Sequence, residues 1–460
     1  MKTRHYTIYI VSTIAAIAGL LFGFDTGIIS GALLFIEKDF MLSTAMKEII
    51  VSSVLFGAMF GSLASGRLTD QFGRRRLMLI ISVLFIIGTL IASLANQVHG
   101  ILCGRLLIGF AIGIGSYTAP LYIAEVAPSH LRGGLVTLNQ LAITLGILFS
   151  FIINYVFTNI NGSWRWMFGM GLIPAILLSI GMIFLPESPR WLVKQNLIDK
   201  AAKTLESLRG THDVSAELNE IRKSLHTRQM NFNSIFTPSI LPVLFLGAML
   251  GLIQQVTGIN TIIYYAPSIF QLAGFQNASS SILATVGIGI VNVTATIFAV
   301  IYLDKLGRRP LLLTGLAGMF LCLLSLSAAF QFGVDAASLR VIAILSTFLY
   351  IICFAFSLGA ILWLVVSEIF PLEVRATAMG IAVFSCWFWN FVVSSTFLSL
   401  LNAMGPSLTF CIYAIMCALS FIFCYYKVPE TCGISLEQIE ENIRKQAPLR
   451  YIGRPVEVIS

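Results

Sequence analysis

Charge is what this sequence has least of. Only 11% of its 460 residues are Asp, Glu, Lys or Arg, against about 25% in an ordinary soluble domain, so a water-exposed globule is excluded. Histidine is scarce, at 5 residues, and the 8 cysteines lie in apolar runs, Cys432 excepted, without metal-type spacing. Neither a zinc site nor a disulfide framework is indicated, and the thiols read as packing residues. No nucleophile and base pair, metal cluster or phosphate-binding loop appears, which argues against an enzyme, and no cofactor is expected.

What the chain has instead is apolar length. Hydrophobic residues make up 57% of it, and a transmembrane helix needs about 20 of them in a row. Twelve such segments begin near Ile8, Ile49, Leu77, Ile101, Leu135, Trp166, Ile240, Ile282, Leu311, Val341, Ala376 and Ser407. Six precede the one long polar stretch and six follow it. The expectation is an all-α membrane protein of two six-helix bundles, residues 1–185 and 240–427, with a helical linker at 186–239 and a tail at 428–460. Lys2 and Arg4 before an apolar run also describe a signal peptide, but this run continues through Asp25 to Ile36 and reads as an uncleaved helix.

Positive charge orients the chain. With the N-terminus inside, 24 of the 29 Lys and Arg fall on the inner side; Lys38, Lys47, Arg165 and Arg340 fall outside, and Arg105 lies within a span. Both termini are therefore expected in the cytoplasm. The same asymmetry accounts for the net charge of +8, so a nucleic-acid partner is not implied. The linker mixes signs and reads as small amphipathic helices, with Ile198, Ala201, Leu205 and Leu208 on one stripe and Val214, Leu218, Ile221 and Leu225 on another.

The two halves repeat each other. DQFGRRR at 70–76 recurs as DKLGRRP at 304–310, offset by 234; AEVAPSHLR at 124–132 recurs as SEIFPLEVR at 367–375, and PESPR at 186–190 as PETCG at 429–433, both offset by 243. Such a parallel repeat is the plan of a secondary transporter whose site lies at the midplane between halves. Asp70 with Arg74 or Arg75, Glu125 with Arg132, Asp304 with Arg308, and Glu368 with Arg375 stand at inner span ends, joined by Glu187 and Arg190 of PESPR. Ion pairs that form in one conformer only would bias the equilibrium toward it; static end-capping is the alternative.

Over nearly its whole length the chain resembles the sugar porter family of the major facilitator superfamily. The resemblance is carried by GRLTDQFGRRR, APLYIAEVAPSHLRG, PESPRW, QQVTGIN, YYAP, LDKLGRRP and SEIFPLEVR, and is strongest toward the bacterial galactose and arabinose proton symporters. It implies the major facilitator fold and a proton-coupled symporter of the galactose, glucose, arabinose and xylose class, working by alternating access.

Asp25 is the residue most in need of an explanation, since a carboxylate at such depth costs about 2.5–3.5 kcal/mol even on lenient scales. Span one runs outward with Asp25 in its outer half, and span four runs inward with Arg105 shortly after its start, so depth alone pairs them. The resemblance implies that Asp25 is the protonation site and Arg105 its partner; a permanent structural ion pair is the alternative. One charge crossing about 100 mV supplies about 2.3 kcal/mol, which sustains on the order of fortyfold accumulation of a neutral solute.

Neutral amides mark the cargo. Span seven carries Gln254, Gln255 and, after Gly258, Asn260 and Tyr264; other spans add Gln140, Asn292, Trp363, Trp387 and Asn390. Amides donate and accept, which suits hydroxyls, and indole faces suit the C–H face of a pyranose. The Gly258 step reads as a locally unwound helix. The resemblance maps sugar contacts onto Gln140, Gln254, Gln255, Asn260, Asn292 and Trp363. Three departures leave the sugar open: Cys386 where an amide is usual, Ala360 where Gly-Pro is usual, and Cys432 where Lys is common. A uniporter is the alternative within transport. A sugar sensor would be expected to carry a long signalling tail, whereas 33 residues follow Lys427. The expected partners are a small sugar, protons and the bilayer, with a monomeric chain in a bacterial inner membrane.

Overall fold

The computed structural model describes residues 6–128, 131–211, 213–226, 237–371 and 373–454; the side chains at 6, 7, 224–226, 303–306 and 376 lie outside that description. In hydrocarbon every unpaired backbone N–H or C=O costs several kcal/mol, so an apolar run of this length resolves into a helix that satisfies them internally. Among the described residues there is no strand, and 12 helices are long and apolar enough to cross a bilayer. They are Ile8–Phe40, Thr44–Phe72, Arg74–Ser93, Val98–Val126, Arg132–Phe157 and Ser163–Phe184, then Leu241–Leu272, Ala278–Tyr302, Arg308–Gln331, Ala336–Ile369, Thr377–Ser394 and Phe397–Lys427, referred to as spans one to twelve. The long helix of span twelve follows Gly405, next to the expected start at Ser407. A further helical stretch starting at Phe397 precedes Gly405, whose φ of 79° breaks the helix ahead of Pro406.

By density of contacts the chain forms two compact units. The first is Met1–Ile28 with Ser53–Ser150 and Gly162–Gln229; the second is Ile29–Ser52 with Phe151–Asn161 and Met230–Ser460. Parts of spans one, two and five thus group with the second unit.

In the first unit, helices meet through glycine. A Cβ on Gly109 of span four would lie 2.0 Å from the Val54 carbonyl oxygen of span two, and one on Gly57 would lie 2.3 Å from the Leu106 oxygen. Spans one and five repeat the device, with Gly23 against Ile143 and Gly146 against Leu20. Lipid gives helices no hydrophobic reason to associate, so close backbone approach and its dispersion contacts supply the adhesion. Between the bundle motifs, the linker folds as Pro189–Lys194, Ile198–Arg209 and Ser215–His226. Its core packs Leu192, Val193, Ala201, Leu205, Val214 and Ile221.

In the second unit, two spans are interrupted. Span seven stops at Val256, passes through Gly258 at φ 94°, and resumes at Ile259. The freed Thr257 carbonyl accepts the Tyr350 hydroxyl at 2.8 Å, which satisfies it inside the protein, as irregular backbone at this depth requires. Span ten carries a π-helical turn at Ala355–Gly359, immediately before the Ala360 departure. Its start is capped by Asp335, whose carboxylate accepts the Ala337 and Ser338 amides; hydrogen bonds from Ser338 and the nearby backbone lower its pKa below the ordinary range.

The glycine contacts give a direct test. Gly109→Ala and Gly23→Ala should each cost about 1–3 kcal/mol through overpacking and lower the melting temperature of the detergent-solubilised protein. Gly380→Ala, where a Cβ meets nothing within 4 Å, should leave it unchanged or raise it.

Candidate functional site

The repeated motifs build the same joint once in each unit. In the first, Gly73 precedes span three with φ 84°, and the Glu187 carboxylate accepts the backbone N–H of Arg74 at 2.9 Å and of Arg75 at 3.1 Å. In the second, Gly307 has φ 81°, and Glu430 accepts the N–H of Arg308 and of Arg309, both at 3.0 Å. These are the orphan donors of a helix start, and the helix dipole favours a carboxylate there. Glycine is required twice over: for its positive φ, and because a Cβ would lie 2.6 Å from Glu187 Oε2 or 2.9 Å from Glu430 Oε2.

The expected partners of the switch residues are rearranged. Glu125 pairs with Arg74, whose Nη2 donates to Oε1 at 2.8 Å and whose Nε lies 2.8 Å from Oε2, and accepts the Ser188 hydroxyl at 2.5 Å. Glu368 takes Arg308 at 3.4 Å and the Thr431 hydroxyl at 2.5 Å. Arg132 and Arg375 pair with neither carboxylate; their Nε atoms donate to the Ala124 and Phe370 carbonyls, each at 3.0 Å. Span C-termini leave carbonyls unpaired that a cation satisfies well, while the two glutamates are already occupied. Asp70 lies 3.7 Å from Arg74 and 2.9 Å from Lys194. Arg190 sits on the helix Pro189–Lys194, and the side chain of Asp304 lies outside the described residues.

Deep in the first unit, Asp25 and Arg105 meet. Asp25 Oδ1 lies 3.4 Å from Arg105 Nη1, the residues being 3% and 0% exposed. The Phe168 ring stands 5.9 Å from the guanidinium carbon. The pair is thus sealed from lipid and held at a separation longer than a tight charge-assisted bond of about 2.7–2.9 Å. A carboxylate so placed is strongly coupled to its surroundings and sensitive to its cation.

In the second unit the amides form a relay. Asn260 Nδ2 donates to Gln255 Oε1 at 2.7 Å, Gln255 Nε2 lies 3.3 Å from Gln254 Oε1, and Gln254 Nε2 donates to the Leu358 carbonyl at 3.1 Å. Leu358 belongs to the π turn of span ten, where the regular helical ladder is interrupted. A second group forms where Asn390 Nδ2 donates to the Tyr264 hydroxyl at 3.4 Å and Asn390 Oδ1 accepts the Ser394 hydroxyl at 3.1 Å. Asn292 is buried on span eight, Trp387 is buried on span eleven, and Trp363 is half-buried on span ten. Gln140, half-buried on span five, belongs to the first unit.

One buried carboxylate of the second unit carries no expectation from the sequence, Glu48. It is 4% exposed and its carboxylate accepts both the Ser399 N–H at 2.7 Å and the Ser399 hydroxyl at 2.6 Å, while Asn402 donates to Thr44 at 2.8 Å. With span two expected from Ile49, Glu48 falls just outside it; the helix starts at Thr44, with the Ser43 hydroxyl accepting the Met46 N–H. Ser188 and Thr431 were also missed, although they stand at matching places in the repeat.

The glutamate caps are testable. Glu187→Gln and Glu430→Gln keep an acceptor and lose the charge, so each should cost about 0.3–2 kcal/mol and lower the detergent melting temperature, more at low salt than at high salt. Equal melting curves at both salt concentrations would remove the electrostatic account.

Known proteins resemble this chain over nearly its whole length. The family described as "Sugar (and other) transporter" matches residues 11–443. A putative metabolite transport protein of Bacillus subtilis is 44% identical over 431 residues, 93% of each chain. The galactose-proton symporter of Escherichia coli is 40% identical over 451 residues, covering 97% of this chain and 96% of the other. Among solved structures, the inward-open xylose transporter XylE of Escherichia coli superposes with a TM-score of 0.83 at 32% identity, covering 94% of this chain and 99% of that one. With its twelve membrane-spanning helices, its duplicated end motifs and matches of this extent, the chain belongs to the sugar transporter family and has the major facilitator fold; it is a multi-pass membrane transporter and not an enzyme.

Proposed function

We propose that the protein is a proton-coupled monosaccharide symporter, taking up a hexose or pentose of the galactose, glucose, arabinose or xylose class by alternating access. The observation that carries this reading is the buried Asp25 facing Arg105 at 3.4 Å. A facilitator of a neutral solute has no need of an ionisable pair at that depth, and intramembrane ionisable residues are functional by default. Asp25 takes up a proton when its site opens to the outside and loses it inside, while Arg105 holds the carboxylate charged once the proton has left. The names of the galactose and xylose relatives support the sugar class.

The amides of span seven, with Asn292, Trp363, Trp387, Asn390 and Tyr264, are the sugar ligands in this reading, and Gln140 is a further one. Carboxylate and arginine joints at Arg74, Glu125, Arg308 and Glu368 are the conformational switch. The protein works as a monomer in a bacterial inner membrane with both termini in the cytoplasm, in keeping with the bias of positive charge.

Uptake into proteoliposomes with an imposed inside-alkaline gradient separates symport from uniport. The parent should accumulate one of the four sugars on the order of tenfold or more, and Asp25→Asn should lose accumulation while retaining sugar counterflow. Gradient-independent equilibration by both would make Asp25 a structural partner of Arg105 in a uniporter.

A further inference from the structure

The device of Glu187 and Glu430, a carboxylate set on the start of a helix, occurs a third time at the other end of span two. The helical stretch 397–404 begins after Thr396 and ends at Gly405. Thr396 turns its hydroxyl back to the Val392 carbonyl at 2.9 Å and makes no cap bond of its own. The orphan donors of this helix start are thus left to another element. Glu48 supplies the acceptor, taking the Ser399 N–H at 2.7 Å and the Ser399 hydroxyl at 2.6 Å. One turn along each helix, Asn402 Nδ2 donates to Thr44 Oγ1 at 2.8 Å.

Two features separate this joint from the other two. Glu187 and Glu430 each bind within their own six-span repeat, at spans three and nine, whereas Glu48 belongs to the first repeat and Ser399 to the second. The stretch 397–404 is fastened to the second repeat, since Phe397 stacks on Tyr265 at 5.1 Å and the Tyr265 hydroxyl donates to the Ser394 carbonyl at 2.9 Å. The second feature is that no cation is spent here. Lys47, next to Glu48 in the chain, pairs with Glu37 at 2.8 Å, and among the described residues no Lys or Arg bridges Glu48. The carboxylate is 4% exposed while Ser399 is exposed. Parting the two therefore returns an acid to water at a span end, without breaking the buried ion pair that makes such a separation costly elsewhere.

We propose that Glu48 is the outer latch of the transport cycle: its bonds to Ser399, with Asn402 on Thr44, hold span two against the stretch 397–404 and part when the outer face opens. The proposal rests on the alternating-access reading and on the orientation given by positive charge. In that reading a bond between the repeats at one face exists in one state only, so its free energy enters the balance between states directly. Weakening it favours the outward-open state, and the inner face closes in step. A cap that only ended a helix would have no such effect at a distance.

Hydrogen–deuterium exchange of the full chain in nanodiscs reads both faces at once. Glu48→Gln keeps the shape and loses the charge, which weakens the Ser399 bonds because charged acceptors bind about twice as strongly as neutral ones. Asn402→Ala removes the companion bond from an exposed position and gives the answer where the buried substitution fails to fold. Each variant should raise exchange at 397–404 by about tenfold and lower it by about threefold at the largely half-exposed starts of spans five and eleven, residues 132–143 and 377–385. A rise at 397–404 with the inner starts unchanged would make Glu48 a static helix cap and overturn the proposal, as would no change at either face. Sugar uptake into proteoliposomes separates the two ways of failing. If the parent carries a sugar and the inner starts stay fixed in both variants, the latch alone fails. If the parent carries none of galactose, glucose, arabinose and xylose and the variants move neither face, the alternating-access reading fails with it.

Discussion

A carboxylate on the start of a buried helix is the interaction from which the rest of this architecture follows. Glu187 and Glu430 each hold the first two amides of a span and the N–H of a residue just beyond themselves, Ser188 and Cys432 respectively. They thereby fasten the polar segment after spans six and twelve to the beginnings of spans three and nine. The motif D-x-x-G-R-R becomes intelligible residue by residue. Glycine supplies the positive φ and the space, and the first arginine turns to Glu125 or Glu368. The second donates to carbonyls at the end of span six or twelve, at Met182 and Ile183 or at Tyr425. Two copies of one local solution, separated by most of the chain, are what duplication of a folding unit leaves behind.

The fold was legible in the sequence because hydrocarbon permits so few alternatives. Apolar runs of sufficient length must be helices, and a lone charge inside a run must find another, which is why Asp25 and Arg105 could be matched by depth. The salt bridges at the span ends were less legible. Glu125 stands seven residues from Arg132, and proximity along the chain favours that pair; in three dimensions Arg74 from another helix and a hydroxyl take the carboxylate, while the nearer arginine finds bare helix-end carbonyls. Glu48 was lost through an error of a few residues in the start of span two. No sequence signal marked the π turn at Ala355–Gly359, which contains no proline; only the absence of the usual Gly-Pro beside it was visible.

The interruption of span seven was legible from Gly258, and the reason is again backbone chemistry. A break in a membrane helix exposes groups that must be satisfied by protein, and Tyr350 answers Thr257 from span ten. Span ten is itself irregular, and its Leu358 carbonyl is answered in turn by Gln254 of span seven. The two broken helices thus complete each other's hydrogen bonding. This couples the amide relay to the backbone of the span that carries Trp363, a relation that no inspection of residue types would reveal.

Backbone seated on backbone leaves no slack. Where Gly109 rides against Val54 and Gly23 against Ile143, a shift of one helix along another by a single residue would drive a side chain into a carbonyl, so these pairs can neither slide nor roll. Such a contact acts as a weld. Flexing is then left to the few joints where the helical ladder is already open, at Gly258, at Ala355–Gly359 and at Gly405, much as a stiff truss bends only at its pins.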